Sequence, residues 1–121
     1  MGMNEDILKS AGVDFELGLR RFMGNRQIYE DVLRSFPTDP VFGRLTQAYA
    51  DRDYKTLFAS IHEIKGTSGN VGMTELYYAA CELTELLRGG DYVVPMIDTA
   101  YARVKAAIDA ALDGIRAAGE Q

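Results

Sequence analysis

The sequence predicts an all-α fold, an antiparallel up-and-down four-helix bundle with one or two accessory N-terminal helices. Apolar residues recur at steps of three and four through every long segment, the period of a helix with one buried face. Capping residues and glycines separate these segments by connections so short that neighbouring helices must run antiparallel. No segment needs a strand. The 121 residues are expected to form one domain, 1–121, with a core at about 12–117.

Asp14 is placed to cap a short helix carrying Phe15, Leu17, Leu19 and Phe22, with Gly24 ending it in a left-handed turn. This helix is expected to lid the bundle. Asn25 can cap the next, where Tyr29, Leu33 and Phe36 form a stripe beside Ile28 and Val32 until Pro37 stops it. Thr38 or Asp39 then caps a helix with Pro40 in its first turn, running through Phe42, Leu45 and Tyr49 to about Ala50. One long kinked helix is the alternative for that pair. Asp53 is the expected cap of a helix that reaches about Asn70, and Gly72 breaks its pattern. From about Met73 to Arg88, Leu76, Ala80, Leu83 and Leu87 share one face, and Gly89-Gly90 forms the stop. Asp91 is the expected cap of the last helix, with Pro95 in its first turn. Its inner stripe would be Val94, Ile97, Tyr101, Val104, Ile108, Ala111 or Leu112, and Ile115.

The helix after Asp53 holds the only histidine in the chain, His62. Leu57, Ile61, Ile64, Ser68 and Val71 mark its inner stripe, so at about 100° per residue His62 points roughly 140° away from the stripe's centre. It should be exposed. Ala59, Gly66 and Gly69 fall on the same outward side. A glycine inside a helix costs about 1 kcal/mol against alanine. Gly66 and Gly69 stand four and seven residues after His62, where missing side chains leave room beside the imidazole. Lys65 flanks the same place with a cation able to neutralise phosphoryl oxygens. A solvent-exposed imidazole is mostly neutral near pH 7, and its free ring nitrogen is a nucleophile.

The run His62-Glu63-Ile64-Lys65-Gly66-Thr67-Ser68-Gly69-Asn70-Val71-Gly72-Met73 resembles the signature of histidine-containing phosphotransfer (HPt) domains. Leu76, Ala80, Leu83, Leu87 and Gly90-Asp91 are similar to the family's next helix and turn, and Asp14 to Phe36 to its opening helices, so the resemblance spans roughly 12–112. It implies that His62 accepts the phosphoryl group, that Lys65 supports it and that Gly66 makes space. It further implies a phosphorelay carrier in two-component signalling that exchanges the group with the aspartate of response-regulator receiver domains and/or a hybrid histidine kinase. Such a carrier has no cofactor or metal of its own; the receiver's Mg²⁺ neutralises the transferring oxygens.

Other features narrow the class. Thirteen Lys and Arg against eighteen Asp and Glu leave a net charge of -5, which argues against a nucleic-acid backbone as partner. The single cysteine, Cys81, makes no internal disulfide, and no apolar run of 18 residues or charged-then-apolar leader appears. A cytoplasmic monomer is expected. No Gly-x-x-x-x-Gly-Lys-[Ser/Thr] loop is present, so self-phosphorylation from ATP is not, and the chain reads as a carrier rather than an enzyme. A metal centre lacks ligands, because His62 has no second histidine and no Glu-x-x-His motif. His62-Glu63-x-Lys65 also resembles the box of a histidine kinase's phosphoacceptor and dimerisation helices, but that box places a proline where Thr67 stands. A structural adaptor bundle would leave the glycine-rich outward face without a reason. The surface that meets a partner should take apolar groups from Tyr77 or Tyr78 and from the Ile28 to Val32 region.

Overall fold

The computed structural model describes residues 2–120; the first and last residues of the expected domain, Met1 and Gln121, lie outside the described residues. Among these, the chain is all helical, with seven α-helices and two 3-10 turns and no strand. The helices are α1 (Glu5–Ser10), α2 (Phe15–Arg21), α3 (Arg26–Ser35), α4 (Val41–Ala50), α5 (Tyr54–Asn70), α6 (Thr74–Leu87) and α7 (Val94–Gly119). Helix α5 packs on α4 and on α6, α6 packs on α7, and α7 also receives α1 and α3. At 1.5 Å per residue, the 26 residues of α7 run about 39 Å and form the longest wall.

Capping chemistry sets most helix starts. Asp14, Asn25 and Asp53 each accept the backbone N–H three residues on, at 3.1 Å in every case. The Thr56 hydroxyl also donates to Asp53, and these bonds hold that carboxyl below its usual range. Asp39, rather than Thr38, opens α4 by accepting from Val41 N–H at 2.9 Å. A 3-10 turn, Phe36–Thr38, separates α3 from α4, so the pair is two helices and not one kinked rod.

Three expectations need correction. First, α1 precedes the helices read from the sequence, so three helices come before α4. Its Asn4 cap accepts from Ile7 N–H, Leu8 is buried, and Asn4 N–H donates to Ala118 O at 3.1 Å, tying the N-terminal segment to the end of α7. The buried core accordingly runs from Met3 to Ala118, wider than 12–117. Second, Asp91 does not cap α7. Gly89 and Gly90 have φ of 84° and 81°, the chain turns once more, and the helix begins after Val93 with Pro95 in its first turn. Third, Val94 is exposed, because that first turn overhangs the core along with Val93 and Met96; the buried stripe starts at Ile97.

Glu30 on α3 fastens the N-terminal segment. This carboxylate is only 5% exposed and accepts from Met3 N–H at 3.2 Å and Arg26 Nε at 2.6 Å, while Arg26 Nη2 donates to Met3 O at 3.0 Å. Helix α2 is seated at the α5–α6 turn. Asp14 N–H donates to Gly72 O at 2.7 Å, and the Tyr29 hydroxyl donates to Val71 O at 2.6 Å. Phe15 and Phe22 pack on the Tyr29 ring with centroids 5.1 and 5.3 Å away. Gly18 lies against the Tyr29 hydroxyl so closely that no side chain fits there. Burial, with the Asp14 charge adding to it, pushes the Tyr29 phenol far above its ordinary value and so favours the protonated, donating form.

Replacing Tyr29 with Phe keeps the ring but strands Val71 O in a dry site, which costs about 1–3 kcal/mol. Denaturant unfolding should show that loss with an unchanged m-value; equal stability would mean the bond is not what seats α3 on the α5–α6 turn.

Candidate functional site

Helix α5 buries Leu57, Ile61, Ile64 and Ser68 and turns His62, Glu63 and Gly66 to solvent. The expected exposure of the histidine is what the structure has. Ser68 is tolerated in the core because its hydroxyl donates to Lys65 O at 3.2 Å. Phe58, one turn before His62, lays its ring nearly parallel to the imidazole, with centroids 6.0 Å apart and planes at 17°. Arg88, at the end of α6, sits over the Phe58 ring at 5.7 Å from its centroid. The imidazole therefore has one side backed by a ring that is itself packed on the core.

The two glycines differ in role. A Cβ on Gly66 would meet nothing within 4 Å, so the space beside His62 is open. A Cβ on Gly69 would come within 2.9 Å of Tyr77 Cδ1. Gly69 is thus a packing glycine that lets the Tyr77 ring lie on α5, and it does not widen the approach to the imidazole as its place on the helix face suggested. Tyr77 and Tyr78 meet edge to face at 5.6 Å; Tyr77 is half-buried and Tyr78 is 68% exposed.

A groove runs along this face. His62, Lys65 and Gly66 line it on α5, Tyr77 and Tyr78 on α6, and Leu17 and Arg21 on α2. The structure brings the three predicted site residues and both tyrosines together. Ile28 and Val32 are not among the lining residues. Phe58, Leu17 and Arg21 were not singled out from the sequence. The i to i+4 spacing of Phe58 and His62 carried a usable signal; the two α2 residues arrive only through tertiary packing.

The charges around His62 are sorted. Glu63 is held by Arg44 of α4 at 2.8 Å, so the carboxylate next to the imidazole is partnered away. Lys65 makes no ion pair among the described residues. An uncommitted ammonium, an exposed ring nitrogen and open space together suit the capture of a small, multiply charged oxyanion on nitrogen. Among the described residues no group of three or more His, Cys, Asp or Glu side chains could hold a metal ion, and no helix is long and apolar enough to cross a membrane.

A family model described as Hpt domain matches residues 27–118. Comparison with curated proteins and with solved structures gives no match. Helices α1 and α2 precede the matched residues, although α2 helps line the groove.

Alanine at position 66 should raise stability by up to about 1 kcal/mol through helix propensity. Alanine at position 69 should lower it, because Tyr77 must shift. Denaturant midpoints of the two variants moving in the same direction would contradict these separate roles.

Proposed function

The chain belongs to the Hpt-domain family, and on that premise we propose that it is a phosphorelay carrier whose His62 exchanges a phosphoryl group with the aspartate of response-regulator receiver domains. Hpt domains act in two-component phosphotransfer as phosphocarriers. The observation that carries the residue assignment is the exposed His62 beside the vacant side of Gly66, with Lys65 in the same groove.

In this reading a neutral imidazole nitrogen attacks phosphorus of the receiver's aspartyl phosphate. The N–P bond forms as the acyl-phosphate O–P bond breaks, and the carboxylate leaves. Return transfer reverses each step. Phe58 holds the ring in place, Lys65 faces the equatorial oxygens, and Gly66 leaves room for the approaching active site. The receiver brings the Mg²⁺ and the rest of the catalytic apparatus, so the carrier needs no cofactor and does not catalyse the transfer alone.

We read the packing of α4 to α7 as the antiparallel up-and-down bundle of a single domain, with α1 to α3 as accessory helices. A bundle completed within one chain favours a monomer over the paired helices of a histidine kinase, and a cytoplasmic setting belongs to the same proposal.

Incubation with phosphorylated receiver domains of the source genome should transfer label to the wild-type chain as an acid-labile, alkali-stable phosphoramidate. A folded His62→Gln variant should take up none; label retained on it would overturn the assignment. Gly66→Leu should keep its helical signal and lose labelling, since a large side chain would fill the vacant side.

A further inference from the structure

Arg21 stands in the last turn of α2, outside the family-matched residues, yet it lines the groove that holds His62 and Lys65. Its place is set by α2, which is seated on the α5–α6 turn through Asp14 N–H to Gly72 O and packed on α3 through the Gly18 contact with Tyr29. Most arginines of this net-acidic chain are tied to carboxylates, among them Arg26, Arg44, Arg52 and Arg103. Arg21, like Lys65, carries no ion pair among the described residues. Arg20 beside it is likewise without an ion pair among the described residues, but only Arg21 of the two lines the groove.

Arg21 reaches the groove from α2, not from the histidine helix. It lies one turn beyond Gly18, whose Cα would be 3.2 Å from a Cβ on Gly72, so α2 meets α5 at the end away from His62. Tyr77 covers Gly69, seven residues or about 10 Å along α5 from His62. That separation falls within the footprint of one protein surface on another but beyond the reach of a single phosphoryl group. Leu17, one turn earlier on α2, and exposed Tyr78 give an apolar strip beside the cation. A strip of that kind, edged by an unpartnered charge, fits an oppositely charged protein face.

We propose that Arg21 is an electrostatic anchor for the carboxylate-bearing face of the receiver domain, and that α2 is therefore a specificity-determining part of the docking surface. This rests on the carrier reading. Arg21 acts on association, whereas Lys65 acts on the transferring group.

The test takes the receiver domain of the source genome that exchanges label fastest with the wild-type chain and measures kcat and KM at low and high ionic strength. Arg21→Gln should raise KM about three- to tenfold at low salt, with a much smaller change in kcat, and the gap should close at high salt. Arg21→Lys should recover most of the wild-type KM, and both variants should keep the wild-type melting point. An unchanged KM at low salt, a loss that persists at high salt, or a defect confined to kcat would each overturn the anchor while leaving the carrier intact. Failure of every receiver domain to label the wild-type chain would instead overturn the carrier reading and the anchor with it.

Discussion

Two backbone carbonyls at the junction of α5 and α6 fix the geometry of the whole His62 face. Val71 O accepts from the buried Tyr29 hydroxyl and Gly72 O accepts from Asp14 N–H, so helices α2 and α3 are both hung on the turn that ends the histidine helix. Gly72 can serve there because its φ is 79° and because a Cβ would come within 2.5 Å of Asp14 O. An unsatisfied carbonyl in such a dry site costs more than the bond itself gains. The junction therefore sets where α6 starts, which places Tyr77 over Gly69, and where α2 lies, which places Leu17 and Arg21 at the groove.

The two sides of α5 divide buried packing from an open, solvent-facing surface. Its inner stripe is buried between α4 and α6, and burial of each large aliphatic side chain there contributes about 1.5–3 kcal/mol. The outer side contributes little to folding. Gly66 costs helix propensity and contacts nothing, a local loss that the inner stripe offsets and that clearance beside the imidazole explains. Glu63 and Lys65 show the same division: the carboxylate is tied to Arg44, and the cation is left uncommitted.

Much of this was legible in the sequence, for reasons particular to each element. The long helices α5, α6 and α7 announce themselves because their buried faces repeat over several turns, and His62 falls opposite such a face. Asp14, Asn25 and Asp53 are readable as caps because a short acceptor before a helical pattern has one dominant local use. Six-residue α1 shows too few apolar positions for a period, and it exists through its hold on α7 and Glu30. Asp91 has the same local credentials as Asp53, but two left-handed glycines before it and the Tyr54–Tyr92 ring contact at 4.8 Å carry the chain past it. Gly69 and Gly66 look alike on a helical wheel, and only the ring of Tyr77 tells them apart.

The central claim is that the outward face of α5, walled by α2 and α6, is where a receiver meets the chain. Amide chemical shifts of the isotopically labelled protein, titrated with an exchanging receiver domain, test it most directly. The account predicts perturbations around His62, Gly66, Tyr78 and Arg21, with the α7 surface from Tyr101 to Ile115 unmoved. Perturbations clustered on α7 that spare the surroundings of His62 would contradict it.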